Sequence, residues 1–235
     1  MIDLIGAIAL STLCAIVIGT LVGLSPVRGT AKPLAFIGAG LWVGIIVAAA
    51  ARGGFAPGAA GSVPAVAFPF FLLLAAGLGA WVFLPAFRSA LMSIPLPALI
   101  GLNAGRILGI FFIMLYAAGR LPAPFAPVAG WGDVAVGALA IPLAALAAAG
   151  AVRPQWLRIW NALGVLDLVI AVSLGLLSAP GTPFQVFRDE PGTTAMGLLP
   201  WIMIPAILVP IYLMVHVTIG AKIRSHSPER QMAAA

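Results

Sequence analysis

Residues 97–118 read PALIGLNAGRILGIFFIMLYAA, twenty-two residues of which only Arg106 is charged. A helix of that length rises about 33 Å, enough to cross the roughly 30 Å hydrocarbon core of a bilayer. A membrane-spanning strand would show about ten residues of alternating polarity, and this stretch does not alternate. A lone arginine in such a run costs about 2.5–3.5 kcal/mol at a helix centre. It therefore calls for a partner of opposite sign elsewhere in the chain.

Reading outward, the same composition recurs. Of 235 residues, 63% are hydrophobic and 8% charged, and the mean hydropathy is +1.17. Soluble domains carry roughly 25% charged residues, so this chain has too little polar surface for water. Seven apolar segments fall at 3–24, 33–51, 64–84, 97–118, 132–152, 155–178 and 198–220. They predict an all-α polytopic bundle of seven transmembrane helices over residues 1–224, with 225–235 as a disordered polar cytoplasmic tail. Residues 52–63 and 179–197, rich in Gly and Pro, read as loops. The apolar run from Met1 to Leu24 lacks a basic start and is too long for a signal peptide, so it reads as an uncleaved first span. Cys14 is the one cysteine, which rules out an intrachain disulfide.

The net charge of +6 would suit a nucleic-acid partner in a soluble protein. Its distribution says otherwise. Connections on one side hold Arg28, Lys32, Arg88, Arg153, Arg158, Lys222, Arg224 and Arg230, against Arg52, Arg120 and Arg188 on the other. The positive-inside rule puts the richer side in the cytoplasm, the N-terminus outside and the C-terminus inside. Asp3, Asp133, Asp189 and Glu190 then fall outside, with Asp133 as the cap of the fifth helix. No nucleic-acid partner is needed; the expected partners are membrane lipid and a small-molecule solute.

Two charges remain in mid-span, Arg106 and Asp167. Their depths match, so they are expected to pair inside the bundle. Asn103 shares the Arg106 face, and Asn161 lies at a similar depth on the sixth helix. Together these four could line a solute site or proton path, or could simply fix helix register. Gly101, Gly105 and Gly109 form a small-residue ridge beside Arg106. Pro200, Pro205 and Pro210 predict a kinked seventh helix whose freed carbonyls could meet a substrate. His216, read four or five residues before the end of that helix, is a candidate proton acceptor or cofactor ligand. As a haem ligand it would stand alone, because His226 lies in the tail, so haem is the lesser alternative. Retinal is disfavoured, since Lys222 sits beyond the apolar stretch. No motif for a metal site or for catalysis is present.

An offset of 58 residues aligns Asn103 with Asn161, Leu108 with Leu166 and Pro122 with Pro180, a faint parallel repeat. Several patterns occur together: Arg106-x-x-Gly109, Ala129-Gly130-Trp131-Gly132-Asp133, Trp160-Asn161-x-x-Gly164-x-x-Asp167-Leu168, and Ile204-Pro205-x-x-x-Val209-Pro210 before His216. As a set they resemble a group of uncharacterised bacterial multi-span membrane proteins. That resemblance implies a bacterial cytoplasmic (inner) membrane and supplies no activity, cofactor or catalytic residue. The residue pattern favours a transporter or permease-like protein for a small solute or protons. The alternatives are a cofactor-binding redox protein using His216 and a non-catalytic sensory or accessory subunit.

Overall fold

The computed structural model describes residues 1–225, and among them every regular element is a helix, with no strand. The tail expected at 225–235 lies, after Ser225, outside the described residues. The main helices are α1 (Ile2–Gly23), α2 (Ala31–Ala51), α3 (Ala67–Phe83), α4 (Pro85–Ser93), α5 (Leu96–Leu102), α6 (Ile110–Ala117), α7 (Phe125–Ala148), α8 (Pro154–Leu177) and α9 (Val209–Ser225). A 3₁₀ segment (Asn103–Gly109) joins α5 to α6, and a π-helical turn (Ile204–Leu208) leads into α9. Six helical stretches are long and apolar enough to cross a membrane, or up to seven if α3 and α4 form one broken span.

Local chemistry sets several of these boundaries. Leu84 precedes Pro85, and the proline ring pushes it into an extended conformation (φ −114°, ψ 93°). The chain turns there, and α4 starts with Pro85 in its first turn, bent 99° from α3. At the ends of α6 and α7, Gly119 (φ 65°) and Gly150 (φ 67°) take the left-handed conformation that closes a helix. Each is followed by a bond back to the last turn, Arg120 N–H to Leu115 O and Ala151 N–H to Leu146 O, both 2.8 Å.

Two polar ties place the outlying segments. The Asp3 carboxylate accepts hydrogen bonds from Arg120 (2.8 and 3.0 Å) and from the Trp201 indole (2.7 Å). The chain start, the 118–124 turn and the segment before the π turn therefore share one end of the bundle. Pro210 has no N–H to give, so the carbonyl four residues earlier, Ala206 O, loses its helical donor. The Trp42 indole of α2 donates to that carbonyl at 3.1 Å. Of the carbonyls that the prolines are expected to free, this one therefore already accepts a hydrogen bond from within the protein. The core between these ties is aliphatic and aromatic, with Leu99, Leu115, Trp201, Ile207 and Ile219 fully buried.

Three segment limits differ from the hydropathy reading, the last apolar segment becoming helical at Ile204 and not at 198, with Pro200 left in the turn before it. The fifth apolar segment starts at Phe125, not at 132, because Pro127 is tolerated in a first helical turn. The last helix runs on to Ser225, where the Lys222 ammonium reaches the Met92 carbonyl at 2.5 Å.

Candidate functional site

The segment carrying Arg106 is narrower and longer per residue than an α-helix, with side chains three apart eclipsed. Asn103, Arg106 and Gly109 consequently form one buried ridge. Its backbone lies directly against α7. A Cβ at Gly137 would sit 2.6 Å from Ile107 N and 3.0 Å from the Arg106 carbonyl carbon, so only glycine fits. The three glycines read as one ridge face different neighbours. Gly105 lies against Leu13 and the Tyr212 hydroxyl, whereas Gly101 and Gly109 face α7 at Ala144 and Asp133.

Arg106 is 3% exposed and is held from three helices at once. Its Nε–H donates to Asp133 Oδ1 of α7 at 2.7 Å. One terminal nitrogen donates to Asp167 Oδ2 of α8. The other donates to the Gly164 carbonyl at 3.3 Å and meets His216 Nε2 of α9 at 3.1 Å. His216 Nδ1 in turn contacts Asn161 Oδ1 at 2.9 Å, and its ring lies 5.4 Å from that of Trp160. Two carboxylates thus surround one guanidinium, an odd charge that a single proton balances.

Glycines again make the room. Gly132 on α7 lies against the Asp167 carboxylate, and Gly164 on α8 lies against the His216 imidazole. Any side chain at either position would occupy the space of the charged or polar group.

Most of the residues singled out in the sequence meet here. Arg106 and Asp167 are paired, and Asn161 joins them through His216 rather than directly. His216 is fully buried and nine residues from the end of α9, because that helix extends past the expected limit. Asn103 stays apart from the ion pairs. Its amide donates to Leu99 O at 3.0 Å, while its buried Oδ1 has no partner. Pro205 lies in the π turn and Pro210 in the first turn of α9. Trp160 is buried and donates to Val136 O at 3.1 Å.

Asp133 requires a correction. It is not an external helix cap; it lies eight residues beyond Phe125 inside α7, as the second carboxylate on Arg106. The faint repeat does not extend to structure either, since α8 is continuous where its counterpart breaks into a 3₁₀ segment.

A cavity of about 30 Å³ adjoins the cluster, bounded by Arg106, Asp133, Leu13 and Tyr212. A water needs about 10–15 Å³ of such space, so there is room for a pair of them beside the carboxylate. Both ring nitrogens of His216 are engaged, which leaves no free lone pair for an axial iron ligand in this arrangement. Among the described residues no group of three or more His, Cys, Asp or Glu could hold a metal ion.

Residues 63–223 match a family described as Domain of unknown function (DUF8737). The match takes in the whole ionic cluster and leaves out α1 and α2. No curated protein and no solved structure matches the chain.

Proposed function

The chain belongs to the DUF8737 family, and we propose that it is a proton-linked carrier or permease for a small solute, with the Arg106 cluster as its proton-binding centre. One observation carries the reading: a buried guanidinium shared by carboxylates from two helices, Asp133 and Asp167, one negative charge more than it can balance. Intramembrane ionisable groups mark proton relays and solute paths by default. The 3₁₀ segment under Arg106 and the π turn beside it are irregular stretches of the kind that accompany functional sites.

The orientation is seven crossings in a bacterial cytoplasmic membrane, the Met1 end outside. Support comes from charge. Among the described residues, the opposite end carries Arg28, Lys32, Arg88, Arg153, Arg158, Lys222 and Arg224 and no Asp or Glu. The Met1 end balances Arg52, Arg120 and Arg188 against Asp3, Asp189 and Glu190. In a Cys14→Ala background, Ala59→Cys and Asp189→Cys are expected to react with an impermeant maleimide on intact cells, and Ser89→Cys only after permeabilisation. The reverse pattern overturns the orientation.

Function is tested in proteoliposomes holding a pH-sensitive dye. Asp133→Asn and Asp167→Asn are each expected to abolish proton movement while the protein stays folded. Unchanged movement in both variants overturns the proposal. A second reading has its own support, since every nitrogen of Arg106 is already bonded, as in a purely structural brace. That reading predicts no proton movement by the unmodified protein.

A further inference from the structure

A second, larger cavity lies next to the one beside Arg106. It measures about 120 Å³ and sits at the Met1 end, between the loops at 52–66 and 178–203 and the helices α3, α7 and α8. Phe112, Ile204 and Val209 line both cavities, so the wall between them is one side chain thick. Ile204 opens the π turn, which places the irregular stretch of backbone in that wall.

The chemistry of the larger cavity is one-sided. No Asp, Glu, Lys, Arg or His lines it, and the rings of Phe55, Phe70 and Phe125 do. Its three hydroxyls are already committed to backbone carbonyls: Thr182 to Ala179 (3.1 Å), Thr193 to Gly175 (3.2 Å) and Thr194 to Pro191 (3.1 Å). A ligand there would find contact surface and no unspent hydroxyl. Apolar cavities of about 150 Å³ stay dry and take up benzene-sized molecules, because unfilled walls forfeit dispersion contacts.

We propose that this cavity is a binding site for one small, uncharged, apolar molecule about the size of a single ring. As the solute of a carrier, that molecule rests on the proton-linked reading above; as a bound ligand, it rests on the cavity alone. Its seat against the shared wall lets occupancy press on the residues that also bound the Arg106 cavity. Solute and proton would then meet at Phe112, Ile204 and Val209.

The test uses phenyl-trifluoromethyl-diazirine as a photolabel on the full chain in lipid nanodiscs, with adducts mapped by mass spectrometry. Peptides holding Val172 and Met196 should label saturably, and toluene should compete. The lipid-facing side of α2 around Leu41 should label in linear proportion to dose, which serves as the internal control. Val172→Trp fills the cavity from α8, and Val63→Trp fills it from an exposed loop where folding is insensitive. Each should reduce the saturable component at least tenfold. Linear labelling of the cavity peptides, or saturable labelling that survives both variants, overturns the site. A half-saturation that moves when the lipid acyl chains are shortened assigns the cavity to a lipid tail and overturns the solute. Proton movement that persists without saturable labelling would sink this inference alone. Saturable labelling without proton movement would sink the carrier reading and leave the site.

Discussion

Arg106 and His216 meet as donor and acceptor, 3.1 Å apart, and the pairing fixes where the imidazole keeps its proton. A guanidinium offers only N–H groups, so His216 Nε2 must accept. The ring proton therefore resides on Nδ1, from which it is donated to Asn161 Oδ1 at 2.9 Å. Nitrogen NMR of ¹⁵N-histidine-labelled protein should show Nδ1 as the protonated nitrogen and Nε2 as the bare one. In Asn161→Leu, Nε2 should keep its acceptor shift, because Arg106 still faces it. A bare Nδ1 in the unmodified protein would refute the hydrogen-bond chain.

Clearance by glycine gives a sharper contrast. Gly132 and Gly164 lie against Asp167 and His216, whereas Gly38 and Gly44 on α2 have nothing within 4 Å. Gly132→Ala and Gly164→Ala should each destabilise by about 1–3 kcal/mol, the usual cost of overpacking. Gly38→Ala and Gly44→Ala should be neutral, or more stable by up to about 1 kcal/mol, since Ala is the better helix former. Reversible unfolding in mixed micelles would measure all four. Equal effects at the two pairs would mean that the cluster yields to a methyl group.

How much of this was legible follows from what hydropathy can register. Arg106 and Asp167 stand out because each is a lone charge in a long apolar run, and that rarity also suggests that they pair. Asp133 escapes because Pro127, Gly130 and Gly132 resemble a loop, which moves the apparent helix start up to the aspartate itself. Continuous apolarity from Phe125 onward is the signal that would have placed it in mid-helix. His216 reads too near the end of its helix, since Lys222 and Arg224 look like the end of a span although the helix continues to Ser225. The 3₁₀ segment leaves no periodic trace. It depends on the backbone of α7 at Gly137, a contact between residues thirty apart in sequence.

The bond between Trp42 and Ala206 can be tested through the proline that makes it necessary. Trp42→Phe leaves the Ala206 carbonyl without its donor, at a cost of about 1–3 kcal/mol. Pro210→Ala restores an N–H to the helix at the position that ordinarily serves this carbonyl. In the Pro210→Ala background the cost of Trp42→Phe should fall below about 1 kcal/mol, the difference being the coupling energy of the cycle. Additive losses would show that α2 is held by something other than this bond.

The odd charge at Arg106 makes the two aspartates interchangeable in one sense and indispensable in another. With Asp133→Asn or Asp167→Asn, one carboxylate still balances the guanidinium, and the new amide oxygen still accepts its hydrogen bond. Either change alone should alter stability by less than about 1 kcal/mol, since a balanced pair remains. The double variant leaves a buried guanidinium with no counter-charge, which at the centre of a membrane-spanning helix costs about 2.5–3.5 kcal/mol. Its loss should therefore exceed the sum of the single losses. Adding Arg106→Met to the double variant removes the last charge and should recover most of that loss, as replacing buried ion pairs by apolar groups often does. Unfolding free energies of the five proteins settle the point. Additive aspartate effects, or a triple variant less stable than the double, would mean that Arg106 is held by packing and not by its shared carboxylates.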